Sequence, residues 1–360
     1  MSRKCNFYAG PATLPPPVLN QIQEEIVDYM GMGLSLIETS HRSKEYDNVH
    51  NEAISHIKEL LKVPDNYKIL FLGGGATLQF SMVPLNLLNS KSCDFTLTGS
   101  WAKKAYDDAK KVGNVNVVFD GSESNYTKLP DIASLKVNPD SAYLHITSNE
   151  TIQGMQWQEF PEAGNVPLIS DMSSDIMSRS LPIEKFGLIY AGAQKNLGTA
   201  GVTVVIIRDN LLSRCPDTLT AYLNYNTHVE KNSLYNTPPV FSIYVLKLVL
   251  QWVKKQGGLK AMEELVERRS SMLYNTIDES NGYYSCPVDR SCRSRMNVVF
   301  RLPNEELEKK FSEEATKQGM IGLKGHRSVG GCRASIYNAM PEEGVSKLVN
   351  FMKDFASKNK

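Results

Sequence analysis

The chain has 360 residues, of which 41% are hydrophobic and 22% are charged, a composition typical of a globular protein large enough for two domains. Its 40 basic and 39 acidic side chains leave a formal charge of +1, so no net field attracts nucleic acid or an anionic membrane surface. Any selectivity for an anion must therefore come from local groups.

The six cysteines are too scattered for a disulfide framework or a zinc site, which predicts reduced thiols in the cytoplasm and no bound metal. No apolar segment follows the basic residues Arg3 and Lys4, so we expect no export signal. The most apolar run, 240–253, is too short to cross a bilayer and contains Lys247, which favours a packed helix. We expect neither nucleic acid nor a membrane as a partner.

Between residues 67 and 207, short runs of β-branched or apolar residues alternate with helical patterns. This alternation predicts an α/β large domain with a mostly parallel, doubly wound sheet. Strands are predicted at 68–72, 95–98, 115–119, 142–147, 166–170, 188–191 and 202–207, with helices at 77–88 and 101–111.

Pro238-Pro239 and Gly257-Gly258 predict the first positions and the end of a long helix, with Asn236-Thr237 as its N-cap pair. The pattern that follows predicts a smaller α+β domain, with helices at 259–279, at 305–318 and from 341, and strands at 296–302 and 333–337. We therefore expect an N-terminal segment, 1–15, that packs on the small domain, a large cofactor-binding domain, 16–257, and a small C-terminal domain, 258–360.

The glycine-rich run Gly73-Gly74-Gly75-Ala76-Thr77 links a predicted strand to a predicted helix. Unpaired amides and the helix dipole favour a phosphate at such a helix start, and Thr77 adds a hydroxyl donor. The spacing fits neither a Walker loop nor a dinucleotide fingerprint. A tight turn without a ligand is the alternative.

Two further segments follow predicted strands and carry side chains suited to a flat cofactor. Gly99-Ser100-Trp101 opens a helix with an indole that could stack on a planar ring, although a core role is the alternative. Asn149-Glu150-Thr151 follows the predicted strand at 142–147, which brings the Thr151 hydroxyl to the carboxyl edge of the sheet. A cap or turn is the alternative.

Asp171 and Lys195 each follow a short buried strand, at the edge where an open α/β sheet carries its ligands. A lysine held there is partly desolvated, which lowers its pKa and makes it a nucleophile for carbonyls. An aspartate on the pyridine nitrogen and a lysine on the aldehyde are the pair that pyridoxal phosphate requires. The pair therefore indicates a pyridoxal-phosphate enzyme with a Schiff-base lysine.

Two cationic clusters lie far apart in the chain, one at His41-Arg42-Ser43 in a predicted polar loop and one at Gly325-His326-Arg327-Ser328 with Arg333 nearby. Paired arginines suit a substrate that bears both a carboxylate and a phosphate, because guanidinium binds each through a fork of donors. Solvated surface arginines are the alternative. Cys332 could suggest a thiol nucleophile, but a small buried residue at a strand start is the favoured interpretation.

Together these motifs resemble those of the phosphoserine aminotransferase family, which belongs to the class V, fold type I pyridoxal-phosphate enzymes. The resemblance extends from Asn6-Phe7-Tyr8-Ala9-Gly10-Pro11 to Ala334-Ser335-Ile336-Tyr337-Asn338-Ala339. Its most specific parts are His41-Arg42-Ser43, Tyr190-Ala191-Gly192-Ala193-Gln194-Lys195-Asn196, Tyr235-Asn236-Thr237-Pro238-Pro239 and Gly325-His326-Arg327.

The resemblance implies a role for each matching residue. Lys195 would bind the cofactor aldehyde, Asp171 would meet its ring nitrogen, Trp101 would stack on the ring and Thr151 would bond its 3-oxygen. The cofactor phosphate would be held by Ala76, Thr77 and Gln194, and by Asn236 and Thr237 from the second subunit of a homodimer. Substrate carboxylates would meet Arg42 and Arg333, and the phosphate or side-chain carboxylate would meet His41, His326 and Arg327. Since the family varies at Ala76-Thr77, only the backbone amides of that pair are expected to transfer.

The reaction implied by the resemblance is reversible amino transfer from L-glutamate to 3-phosphohydroxypyruvate, giving O-phospho-L-serine and 2-oxoglutarate, in L-serine biosynthesis. Use of 4-phosphohydroxy-L-threonine is left open. Alternatives are another class V enzyme, either a small-substrate aminotransferase or a cysteine desulfurase, a nicotinamide-dependent dehydrogenase that only the glycine-rich turn supports, or a non-catalytic cofactor-binding protein.

Overall fold

A computed structural model describes residues 3–359. The strands are β1 Cys5–Asn6, β2 Tyr67–Leu72, β3 Cys93–Leu97, β4 Val115–Asp120, β5 Leu144–Thr147, β6 Asn149–Glu150, β7 Met155–Gln156, β8 Leu168–Asp171, β9 Phe186–Gly192, β10 Thr203–Arg208, β11 Asn297–Phe300, β12 Met320–Ile321 and β13 Cys332–Ser335. The α-helices are α1 Pro16–Glu25, α2 Lys44–Leu61, α3 Gly75–Leu87, α4 Ser100–Val112, α5 Asp209–Leu212, α6 Tyr225–Glu230, α7 Val240–Lys255, α8 Gly258–Asp278, α9 Glu305–Lys317 and α10 Glu342–Lys358.

Seven strands form the central sheet in the order β2-β10-β9-β8-β5-β3-β4. All neighbouring pairs are parallel except those of β10, which is antiparallel to both β2 and β9. The mostly parallel sheet predicted from the alternating pattern is confirmed. The register aligns the strand ends, since Thr203 pairs with both Leu72 and Gly192, and Asp171 pairs with Thr147 and Tyr190. The carboxyl ends of β2, β5, β8 and β9 therefore share one edge.

Helices cover both faces of this sheet, and the period of two along each strand separates two cores. In β2, Ile69 and Phe71 belong to one core, which α2 and α7 complete. The alternate residues Leu70 and Leu72 belong to the other, which α3 and α4 complete. Burial on both faces explains why the strands read as nearly continuous apolar runs.

The sequence analysis did not predict α1 or α2, although α2 carries clear local signals. Ser43 is the N-cap of α2, and its hydroxyl accepts a hydrogen bond from the Tyr46 amide at 3.3 Å. Tyr46, Val49, Ala53 and Ile57 are buried at intervals of three or four residues, which is the period of a helix face packed on a core. The expected polar loop at 41–43 is therefore the turn that starts this helix.

The N-cap interpretation of Asn236-Thr237 is wrong. Pro239 is the N-cap residue of α7, no side chain caps this helix, and the helix begins at Val240, after both prolines rather than at them. Asn236 and Thr237 are exposed, and the Asn236 amide donates to the Thr237 carbonyl at 3.1 Å. The local signal was misleading because the two prolines separate this pair from the first helical turn.

The C-terminal part has a core of its own, formed by α8, α9, α10 and the antiparallel pair β11-β13. Phe7 belongs to this core, and β1 pairs with β12 in parallel, Cys5 with Met320. At the start of α8, Leu259 and Met262 pack instead into the first core of the sheet. Among residues 3–359, no helix combines the length and hydropathy needed to cross a membrane.

Candidate active site

Lys195 lies three residues beyond β9, in the turn that leads back to β10. All seven residues of β9 are buried, which anchors the start of the turn. The Ala193 amide donates to the Val202 carbonyl at 3.0 Å, and the Gln194 carbonyl accepts from the Ala12 amide at 2.9 Å. Lys195 is thus held at the carboxyl edge of the sheet, as predicted for a strand-end lysine.

The Lys195 ammonium lies between a hydroxyl and an aromatic ring. Its Nζ donates to Thr151 Oγ1 at 2.7 Å and lies 5.7 Å from the centre of the Trp101 ring. Burial lowers the pKa of this amine to about 8 from its ordinary 10.5, although the carboxylate of Asp171 opposes the shift. The amine is therefore available as a nucleophile at a pH where an exposed lysine would be almost fully protonated.

Asp171 is the last residue of β8, on the strand next to β9. Its side chain is buried, and Oδ1 accepts from the Ser173 amide at 2.8 Å. Burial raises the pKa of the carboxyl, while Ser173 and the nearby ammonium of Lys195 lower it to a smaller extent. The carboxylate would gain from a second cation at this point, and a protonated ring nitrogen is such a cation.

Arg333 approaches the same centre from β13 of the C-terminal part. Its Nη1 donates to the Thr151 carbonyl at 3.2 Å, so Thr151 contacts both Arg333 and Lys195. Burial lowers the pKa of the guanidinium, and its buried Nε has no hydrogen-bond partner within residues 3–359. A partly desolvated guanidinium with an unused donor is suited to binding a carboxylate.

Glu150, to which no sequence motif assigned a role, holds the start of α4 in place. Its buried carboxylate accepts from the amides of Trp101 and Ala102 at 3.1 and 3.0 Å, at the start of α4. A Cβ atom on Gly99 would lie 2.5 Å from the Glu150 carboxyl carbon, so only glycine fits there. Burial raises the pKa of Glu150 to about 7, although these amides lower it. The only sequence signal for this role is an acidic residue directly before Thr151. Because Glu150 lies 49 residues from Trp101, no local motif links the two.

The glycine-rich turn leads from β2 into α3. Gly74 and Gly75 have φ angles of +82° and +66°, a region that favours glycine. No side chain caps α3, so its first amides, including those of Ala76 and Thr77, stay open for a ligand. Because Leu72 and Gly192 pair with the same residue of β10, this turn and the Lys195 turn leave the same edge of the sheet.

His326 and Arg333 line a cavity of about 320 Å³ that also reaches Gln153. The Ser328 amide donates to His326 Nδ1 at 3.3 Å and the Ser328 hydroxyl lies 2.7 Å from the same atom, an arrangement that favours a neutral ring with its proton on Nε2. Burial and the cations Arg333, Arg327 and Lys104 lower the pKa of this histidine. Arg327 lies in the same loop and is exposed.

Four predicted residues lie away from Lys195 within this chain. Asn236 and Thr237 are exposed and line a separate cavity of about 270 Å³ with Gly73. His41 and Arg42 lie in the turn before α2, where Arg42 is exposed, and no hydrogen bond joins either to the residues around Lys195 that the structure describes. In the described part of the chain, the hydrogen bonds of these residues are local ones and do not reach Lys195.

The residues present fit pyridoxal phosphate on three observations. The Trp101 ring faces the Lys195 amine, and its buried Nε1 has no partner among the described residues. The uncapped start of α3 offers amides to a phosphate. The carboxylate of Asp171 lies on the strand next to that of the lysine, as the ring nitrogen of this cofactor requires.

Comparison with known proteins shows the family to which the chain belongs. A sequence model of the family described as class V aminotransferases matches residues 5–348. A phosphoserine aminotransferase of Geobacillus kaustophilus is 54% identical over 356 residues, which covers 99% of each chain. The solved phosphoserine aminotransferase of Bacillus circulans subsp. alkalophilus is 49% identical, with a TM-score of 0.98 over 99% of both chains.

A PLP-bound phosphoserine aminotransferase of Trichomonas vaginalis is 40% identical, with a TM-score of 0.93 over 98% of this chain and 100% of its own. These likenesses confirm the fold type I architecture and are inconsistent with the dehydrogenase alternative. Because the family match extends over nearly the whole sequence and these relatives cover it from end to end, the chain belongs to the class V aminotransferase family.

Proposed function

We propose that this class V aminotransferase uses pyridoxal phosphate to transfer the amino group of L-glutamate to 3-phosphohydroxypyruvate, giving O-phospho-L-serine and 2-oxoglutarate. The observation that carries the proposal is the Lys195 amine, held between Thr151 and Trp101 with Asp171 on the adjacent strand. The choice of substrate is supported by the relatives named phosphoserine aminotransferase, which are similar over the whole chain. The reaction would place the protein in L-serine biosynthesis.

When bound, the cofactor supplies an aldehyde that combines with amines and a ring that accepts the electrons of a broken C–H bond. Lys195 would hold the cofactor through its amine and would be released when the substrate amine takes its place. The released Nζ, whose pKa burial lowers to about 8, would take the proton from the substrate α-carbon and deliver it to the cofactor carbon that carried the aldehyde. Thr151 keeps the free amine in place through its hydroxyl.

Asp171 and Trp101 set the electronic and geometric conditions for this proton transfer. The carboxylate of Asp171 would meet the ring nitrogen and favour its protonated, electron-poor form. Trp101 would stack on the ring, and Glu150 holds Trp101 in place through the first amides of α4.

Arg333 would bind the α-carboxylate of the substrate and so orient the breaking C–H bond for proton removal by Lys195. His326, through its Nε2 proton, and Arg327 bind the distal phosphate or side-chain carboxylate. Cys332 is unsuited to be a nucleophile, because burial raises its thiol pKa to about 12. This observation is against the desulfurase alternative.

We further infer a homodimer in which His41, Arg42, Asn236 and Thr237 act at the partner's active site. The exposed fractions of Val27, Met30 and Ile37 are 79%, 76% and 53%, an unusual density of exposed apolar side chains directly before His41. Such a surface would be covered in a dimer. A cytoplasmic location is inferred from the reduced thiols and the class of substrate.

The division at residue 257 remains a proposal and is supported by the separate core of the C-terminal part. The parallel pairing of β1 with β12 supports assigning residues 1–15 to the small domain. Because Leu259 and Met262 pack in the core of the sheet, the boundary passes through the first turns of α8.

The test is a two-step reaction that is monitored through the visible absorption of the cofactor. Glutamate should convert the yellow holoenzyme to its amino form. Phosphohydroxypyruvate should then restore the colour faster than glyoxylate does. Incubation with cysteine should release no elemental sulfur. Lys195→Ala should be inactive in both steps. Turnover by that variant, or a preference for glyoxylate, would overturn the proposal.

A further inference from the structure

The loop from Gly325 to Gly331, which carries His326 and Arg327, is closed on itself. The Gly325 amide donates to the Gly331 carbonyl at 2.8 Å, and the Val329 and Gly330 amides donate to the His326 carbonyl at 3.0 and 2.9 Å. The two ends approach so closely that a Cβ on Gly325 would lie 2.0 Å from the Gly330 oxygen. The loop therefore behaves as a compact unit whose placement depends on what holds its ends.

An ion pair in the C-terminal part holds this unit. Arg301, directly after β11, contacts Glu308 of α9 through Nε at 2.6 Å and donates through Nη1 to the Val329 carbonyl at 2.8 Å. The second carboxylate oxygen of Glu308 accepts from the Gly331 amide at 3.1 Å. Each partner of the pair is thus bonded to the other and to the loop.

The fit between Arg301 and the loop is tight. Gly330 and Gly331 have φ angles of +69° and +70°, and a Cβ on Gly331 would lie 2.8 Å from Arg301 Cδ. The guanidinium therefore lies where any larger loop residue would project. The Glu308 side chain is 8% exposed, so its charge depends on Arg301 for compensation.

We propose that Arg301 and Glu308 are positioning residues for anion recognition, which hold His326 and Arg327 where they meet the distal phosphate of the substrate. This inference rests on the proposed function, since it assumes that these two side chains bind that group. Without Arg301, the loop loses the bond at Val329, and the uncompensated carboxylate of Glu308 lies beside a site for anions. Both changes weaken binding of a distal anion and leave the chemistry at Lys195 intact.

The variants Arg301→Lys and Glu308→Gln test this inference in the holoenzyme. A misplacement of binding groups by a fraction of an ångström to one ångström reduces catalytic efficiency by up to about 100-fold. We expect the KM for phosphohydroxypyruvate to rise about tenfold or more, with kcat within about threefold. With alanine, which has no distal anion, the rate of the first half-reaction should not change.

A second measurement does not depend on turnover. Calorimetric titration of the holoenzyme with inorganic phosphate, in which the cofactor phosphate would already occupy the start of α3, should show affinity lowered to the same extent in both variants and abolished in Arg327→Ala. Arg293→Lys is the matched control, because Arg293 makes a two-point contact with Asp278, at 2.9 and 3.0 Å, elsewhere in the C-terminal part. That control should retain wild-type KM and phosphate affinity.

The outcomes distinguish a failure of the positioning role from a failure of the proposed function. If Arg327→Ala loses phosphate binding but the Arg301 and Glu308 variants do not, the positioning role is overturned and the proposed function stands. If Arg327→Ala binds phosphate normally, the assumed anchor is wrong and the inference fails with it. If alanine turnover falls as much as phosphohydroxypyruvate turnover, the pair is merely structural. Should Glu308→Gln not fold, Arg301→Lys, which keeps the positive charge, decides the matter.

Discussion

Replacing Lys195 with methionine should stabilise the protein stripped of cofactor at pH 7, although it abolishes turnover. The folded chain holds the pKa of this amine at about 8 instead of 10.5, mainly through burial. Since one pH unit corresponds to about 1.4 kcal/mol, protonated Lys195 costs the fold about 3 kcal/mol at pH 7. The lost hydrogen bond to Thr151 offsets about 1 kcal/mol, which leaves a net gain of about 2 kcal/mol.

The size of this effect depends on pH in a way that identifies its cause. The unfolded chain keeps the Lys195 proton up to about pH 10.5, whereas the folded chain releases it above about pH 8. Between about pH 8 and pH 10.5 the unfolded wild type therefore binds more protons than the folded wild type. The free energy of unfolding of the wild type thus rises with pH in this range. The advantage of the methionine variant should be close to zero at pH 10.

Urea unfolding at pH 7 and pH 10, at a fixed protein concentration, measures the difference. Lys260→Met, at an exposed position of α8, is the control and should change stability by less than about 0.5 kcal/mol at either pH. A Lys195→Met protein that is less stable than wild type at pH 7, or equally stabilised at both pH values, would refute the argument that the ammonium is desolvated.

Three further outcomes are expected. Ser43→Ala removes the side-chain cap of α2 and should lower the free energy of unfolding by about 1 kcal/mol in urea; no change would contradict the capping role. Glu150→Ala leaves the Trp101 amide without its acceptor and should lower the free energy of unfolding by about 2–4 kcal/mol. The same variant should bind the cofactor more weakly in a fluorescence titration. Unchanged affinity would show that Glu150 does not position Trp101. Cys332→Ala should keep turnover within about threefold, because its buried thiol takes no part in the chemistry, and a larger loss would reopen the desulfurase alternative.

The elements that the sequence predicted well are those whose signals are local. The strand ending at Asp171 and the strand before Lys195 are short apolar runs bounded by polar or small residues, and each was located within two residues. In contrast, α2 was missed although Ser43 and the spacing of its buried residues signal it, because the sequence analysis treated this region as a polar loop. The start of α7 was misplaced because two consecutive prolines suit both the first positions of a helix and the residues just before it.

The sequence by itself determined the doubly wound class and the positions of Asp171 and Lys195 at the ends of buried strands, because strand period and strand-end residues are encoded within a few positions of each other. Only the tertiary structure decided that Glu150 holds the start of α4 and that Arg301 and Glu308 hold the His326 loop. These contacts join residues far apart in the chain, through the register of the sheet and the packing of α9 against its neighbours. No local periodicity records such contacts, because their free energy depends on distances that exist only after the chain has folded.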